Sequence, residues 1–167
     1  MIPKFVGLKA LKMKVLFVCL GNICRSPLAE GIMKHKLNLD GLIEKVVVDS
    51  CGTSDYHIGD MPDVRTRKNA EKNGVKLSHL GRQLSSSDLD QFDFILAMDR
   101  ANHQNILRLG NGTHQDKIKL MREFDPMEGD EVPDPYYGNE DDFQEVFEIL
   151  DRSIDGFLAH LRSKGLL

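Results

Sequence analysis

The run Lys14-Val15-Leu16-Phe17-Val18-Cys19 constrains the chain more than any other segment. It is short, apolar and rich in branched or aromatic side chains, the pattern of a strand covered on both faces of a parallel sheet. It stops at Gly21-Asn22. Ser26-Pro27 then supplies a hydroxyl at a helix N-cap and a proline at the first helical position, ahead of Leu28, Ile32 and Met33 at helical spacing.

The alternation continues downstream. Val46-Val47-Val48 reads as a second strand, Val64 to Lys72 as a charged helix ending near Asn73-Gly74, and Phe92 to Met98 as a third strand. Arg100 to Leu109 reads as a helix, and Ile118 to Phe124 as a fourth strand closed by Asp125-Pro126. Phe143, Val146, Phe147, Leu150, Ile154, Phe157 and Leu161 then form one broad apolar stripe on a long final helix. Strands alternating with helices imply right-handed crossovers. The expected fold is α/β: a three-layer, doubly wound, four-stranded parallel sheet flanked by helices on both faces, with the anion-binding loop after the first strand. In such folds ligands sit beyond the carboxyl ends of the strands, where the Cys19 loop falls.

At 167 residues, with 41% hydrophobic and 29% charged residues, the chain has the composition of one compact domain. Residues 13–167 are assigned to it. Residues 1–12 are read as a flexible N-terminal extension outside the fold. A formal net charge of −4 offers no general attraction for nucleic acid or an anionic membrane, so a bound anion must be held locally. Cys19, Cys24 and Cys51 do not make the even-numbered framework of a small secreted domain. With no secretory signal and no stretch able to span a bilayer, the expectation is a cytoplasmic protein.

The loop Cys19-Leu20-Gly21-Asn22-Ile23-Cys24-Arg25-Ser26 lies between a strand and a helix, so its amides can converge on an anion at the positive helix terminus. Gly21 and Asn22 tolerate the left-handed backbone that curls amides inward. The same setting favours a thiolate at Cys19, which is a nucleophile at neutral pH. The planar guanidinium of Arg25 can make two parallel hydrogen bonds to phosphoryl oxygens. Ser26, besides capping, can donate to a departing thiolate.

The residues CLGNICRSP, with Asp134-Pro135-Tyr136-Tyr137 far downstream, resemble the low-molecular-weight protein tyrosine phosphatase family. The resemblance extends through Asp49-Ser50, Gly52-Thr53-Ser54, Ser78-His79, Arg82-Gln83 and Phe92 to Asp99, covering nearly everything after Met13. It implies hydrolysis of phosphotyrosine through a phosphocysteine on Cys19, without metal or cofactor. Arg25 would clamp the phosphoryl group, and Asp134 would act as general acid on the leaving phenolate and then as base on water. It further implies that Asn22, Ser26, Ser50 and His79 brace the loop, and that Tyr56, Tyr136 and Tyr137 wall the entrance. A deep slot admits phosphotyrosine and leaves phosphoserine short of Cys19. Related arginine phosphatases carry threonine where this chain has Ile23, so Ile23 favours tyrosine.

Cys24 reads equally well as a packed loop residue or as a thiol that traps oxidised Cys19 in a disulfide. Cys51 reads as core. The six histidines lack paired metal-ligand spacing, so exposed or capping roles are expected of them. Two other functions stay open: an arsenate reductase-like redox enzyme, which needs cysteines to relay a disulfide outward, and a non-catalytic phosphate-binding module. The expected partners are a phosphotyrosine protein substrate and a tyrosine kinase, with the chain a monomer or weak dimer.

Overall fold

The computed structural model describes residues 11–167. The expected extension therefore lies outside the described residues except for Leu11 and Lys12, whose Nζ is 3.8 Å from Glu44. Strands β1 (Met13–Cys19), β2 (Val46–Gly52), β3 (Phe94–Ala97) and β4 (Ile118–Leu120) form one sheet in the order β2-β1-β3-β4. Every pairing is parallel, with Cys19 opposite Gly52 and Val18 opposite Ala97 at the carboxyl ends.

Among the described residues the α-helices are α1 (Arg25–Leu39), α2 (Val64–Lys72), α3 (Ser86–Gln91), α4 (Arg100–Leu109) and α5 (Glu140–Ser163). The two-residue period of β1 divides the core. Val15 and Phe17 face Leu28, Ile32 and Met33 of α1 and the α5 stripe of Val146, Leu150, Ile154 and Phe157. Leu16 and Val18 face the opposite way, onto Leu89 of α3 and Ile106 of α4. Three layers result, as expected. Because the chain winds one way from β1 to β2 and the other way to β3, the carboxyl ends of β1 and β3 flank a crevice where ligands collect in such sheets.

Several boundaries differ from expectation. The segment Ile118 to Phe124 is extended only to Leu120, and Met121–Phe124 turn into a 3₁₀ helix. The Cα of Gly156 on α5 approaches this turn so closely that a Cβ there would sit 1.9 Å from the Phe124 carbonyl oxygen. The third strand is confined to Phe94–Ala97, and the second runs on past Val48 to Gly52. The short helix α3, closed by reciprocal Ser85 and Asp88 hydrogen bonds, was not expected. Helix α1 begins at Arg25, one residue before the expected cap, so Ser26 and Pro27 are its second and third residues. Among the described residues no helix is long and apolar enough to cross a membrane.

Candidate active site

The loop from Cys19 to Ser26 is held from beneath by Asn22, 1% exposed, in the left-handed conformation at φ 57°. That backbone turns its N–H onto Cys19 Sγ at 3.3 Å. The side chain pins the conformation from four sides. Its Nδ2 donates to Ser26 Oγ at 2.7 Å and Ser50 Oγ at 3.0 Å, while its Oδ1 faces His79 Nε2 at 2.6 Å and accepts from the Arg82 amide at 3.1 Å. The backbone strain of a non-glycine left-handed residue persists only where surroundings over-determine it, as these do.

Behind this layer stands Glu30, buried on α1. Its Oε1 accepts from Ser50 Oγ at 2.7 Å and lies 3.0 Å from His79 Nδ1, while Lys34 Nζ holds Oε2 at 2.7 Å. Burial would raise this carboxyl, but His79 and Lys34 hold it below its ordinary value. Glu30, Asp49 and His79 bring three ligand-type atoms within 4.8 Å of one another. With its side chain only 8% exposed, His79 turns both ring nitrogens to acceptor oxygens, unlike the exposed or capping role expected of the histidines in general.

Ser26 Oγ lies 2.9 Å from Cys19 Sγ. It caps nothing, since α1 has no side-chain cap, because the helix has already begun at Arg25. Arg25 is 3% exposed and points across the crevice to β3, where Nη1 donates to Asp99 Oδ2 at 2.7 Å and to the Val132 carbonyl at 3.0 Å. Burial works against its charge, but the Cys19 sulfur, Asp99 and Asp134 together hold its pKa above the ordinary value. Asp99 is fixed in turn as the N-cap of α4, accepting from the Asn102 amide at 2.8 Å.

Asp134 arrives from the loop before α5. Its Oδ1 accepts from the Tyr136 amide at 3.1 Å, and its half-exposed carboxylate places Oδ2 3.6 Å from Arg25 Nη2. Tyr136 and Tyr137 meet edge to face at 5.0 Å. Arg65 of α2 steadies them, donating to the Tyr136 carbonyl at 2.8 Å and lying 5.3 Å from its ring and 4.7 Å from that of Phe143. A slot of about 310 Å³ results, lined by Cys19, Leu20, Gly21, Ile23, Cys24 and Arg25 at the base and by Tyr56, His57, Asp134, Tyr136 and Tyr137 around the mouth.

Residues 14–166 match the family model for low molecular weight phosphotyrosine protein phosphatases. The chain belongs to this family. The human low molecular weight phosphotyrosine protein phosphatase is 41% identical over 146 residues, spanning 86% of this chain and 92% of its own. The crystal structure of a protein tyrosine phosphatase from Entamoeba histolytica superposes with a TM-score of 0.89 at 41% identity, covering 93% of this chain and all of the other. A Drosophila arginine phosphatase superposes at 0.84 with 34% identity, covering 90% and 98%.

Within this family frame, the structure brings together in one slot Cys19, Arg25, Asp134, the loop residues Leu20, Gly21, Ile23 and Cys24, and the three tyrosines. Asn22, Ser26, Ser50 and His79 lie in the layer that supports it. Asp99, Glu30, Arg65 and His57 were missed as site residues. Asp99 carried a usable signal, a carboxylate at the end of a strand and the start of a helix; the others depend on contacts between segments that no local pattern announces. Cys24 and Cys51 are buried free thiols. Burial pushes Cys24 up to about 12 and Cys51 well above its ordinary value.

Proposed function

We propose that this chain hydrolyses phosphotyrosine in protein substrates through a covalent phosphocysteine on Cys19, without a metal ion. The observation that carries the reading is that Cys19, Arg25 and Asp134 converge at the base and wall of one slot with an aromatic mouth. The phosphoryl group sits in the ring of loop amides at the start of α1, and the Arg25 guanidinium grips two of its non-bridging oxygens. The Cys19 thiolate attacks phosphorus as the bond to the phenolic oxygen breaks, and Asp134 gives that oxygen its proton. Water then attacks the phosphocysteine, Asp134 takes up a proton, and the sulfur departs as a thiolate hydrogen-bonded by Ser26.

The tyrosine side chain fits the mouth because Tyr56, Tyr136 and Tyr137 offer ring faces and edges to an aromatic guest. Apolar Ile23 in the slot favours a phenyl ring over a guanidinium, which sets this reading apart from the arginine phosphatase fold relative. A disulfide relay of the arsenate reductase kind is disfavoured because Cys51 is fully buried. Cys24 has the second role of trapping oxidised Cys19 as a disulfide. The finer setting is a cytoplasmic monomer or weak dimer whose partners include a tyrosine kinase and its phosphorylated products.

The test is hydrolysis of p-nitrophenyl phosphate, a phosphotyrosine peptide and a phosphoserine peptide in excess chelator. The first two are cleaved and the third is not. Loss of activity on chelation would move the reading to a metal mechanism.

A further inference from the structure

Asp134 has to meet the oxygen that leaves as Cys19 attacks, yet it arrives on a segment, residues 133–138, that belongs to no helix or strand. Much of what holds this segment is local. Asp134 Oδ1 accepts from the Tyr136 amide two residues on, and the Gly138 amide donates to the Pro135 carbonyl at 2.8 Å. Such bonds shape the turn but do not fix where it stands over the phosphate loop. Among the described residues, one hydrogen bond ties 133–138 to another part of the chain: Arg65 Nη1 donates to the Tyr136 carbonyl at 2.8 Å.

The rest of the guanidinium is anchored on α2. Nε and Nη2 donate to Asp63 Oδ1 and Oδ2 at 3.0 and 2.9 Å, a two-pronged pairing that fixes the guanidinium plane. Asp63 is itself held twice. Its carboxylate caps α2 by accepting from the Arg65 amide at 2.8 Å, and its own amide donates to the Ile23 carbonyl of the phosphate loop at 2.8 Å. The same guanidinium packs on the rings of Tyr136 and Phe143, the second of these in the first turns of α5. A path of contacts therefore runs from the loop that carries the nucleophile, through Asp63, Arg65 and Tyr136, to Asp134. The Asp134 Oδ2 then closes it, 3.6 Å from Arg25 Nη2.

Resting on the phosphotyrosine reading and its general acid, we propose that Arg65 is a positioning residue for Asp134. By holding the Tyr136 carbonyl against α2, it fixes where the Asp134 carboxyl meets the leaving oxygen. Arg65 does not line the slot, so its effect on the reaction passes through Asp134. Lysine is a poor replacement, because a single ammonium lacks the planar fork that serves Asp63 and the Tyr136 carbonyl at once. Proton donation counts most when the leaving oxyanion is poor. A misplaced acid therefore slows cleavage of phenyl phosphate and largely spares p-nitrophenyl phosphate, whose phenolate departs without a proton. Loosened packing at the mouth would instead weaken both substrates alike.

The test is the ratio of kcat/KM for phenyl phosphate to that for p-nitrophenyl phosphate, measured in wild type, Arg65→Ala, Asp134→Ala and the double variant. Arg65→Ala lowers the ratio about tenfold, a part of the roughly 10² to 10⁴ that a well-placed acid supplies. Asp134→Ala lowers it further. Adding Arg65→Ala to Asp134→Ala changes the ratio no more, because the acid that Arg65 positions is gone. Arg65→Lys lowers the ratio about threefold, since it keeps the charge and loses the fork. A wild-type ratio in Arg65→Ala overturns the proposal, and so does a further fall in the double variant. If Arg65→Ala does not fold, Arg65→Lys takes its place, and a wild-type ratio there is equally fatal. An unchanged ratio in Asp134→Ala refutes the general acid itself, and with it the reading on which the proposal rests.

Discussion

The Ser26 hydroxyl lies 2.9 Å from the Cys19 sulfur, and both atoms are buried. Asn22 Nδ2 donates to the same oxygen, so the Ser26 proton is free to point at sulfur or at the Cys51 carbonyl 3.3 Å away. A charged sulfur is the better acceptor, and a hydrogen bond to a charged group contributes about 1.5–3 kcal/mol. The bond matters most when sulfur leaves. Ser26→Ala therefore slows hydrolysis of the phosphoenzyme by about 10- to 100-fold. Stopped-flow release of p-nitrophenol reads this as a burst followed by a slow steady state.

Asp99 and Arg25 face each other across the crevice between β1 and β3. Asp99→Asn keeps the cap on α4, because asparagine accepts from the helix amide as well as aspartate does. It removes the charge that aims the guanidinium. Inhibition by inorganic phosphate should weaken about tenfold with little change in melting temperature. Titration of phosphate against p-nitrophenyl phosphate turnover measures it.

The thiols should separate by reactivity. Burial raises Cys24 and Cys51, so both stay protonated at neutral pH. Iodoacetamide at pH 7 is expected to label Cys19 alone, with activity lost in step and saturating phosphate protecting. Peptide mapping of the alkylated protein shows which thiol reacted.

A stability prediction rests on Asp125, whose fully buried carboxylate joins Arg122 of the 3₁₀ turn to Arg152 of α5 at 2.9 and 2.8 Å. Burial would raise this carboxyl, but Arg152, the Met127 amide and Arg122 hold it below its ordinary value. The folded chain thus binds that proton less readily than the unfolded chain. Its contribution is complete above the ordinary aspartate value of about 3.9 and is lost as pH falls through the lower, folded value. Asp125→Asn should cost about 3 kcal/mol at pH 7. Urea unfolding from pH 7 to pH 3 should show a shallower acid dependence in the variant.

The fold and the loop were legible because their signals are local. Lys14 to Cys19 is apolar on both faces, and α2 and α4 begin and end where their residues indicate. The fourth strand was overextended because Met121 and Phe124 are apolar whether they extend or turn, and only packing against Gly156 decides between the two. Ser26-Pro27 looked like a helix start because both residues suit one, yet the tight loop draws Arg25 into the helix and leaves the Ser26 hydroxyl for Cys19. Glu30 and Arg65 looked like ordinary helical charges. Their partners lie 49 and 71 residues away, at His79 and Tyr136.

The covalent step is the claim on which the rest depends. An Asp134→Ala variant, mixed with a phosphotyrosine peptide and quenched in acid within its first turnover, can be digested and its peptides weighed. The account predicts one phosphoryl group on the peptide that carries Cys19, and none when the label is sought in Cys19→Ser. A phosphoryl group on another residue, or tyrosine dephosphorylation that persists in Cys19→Ser, would contradict it.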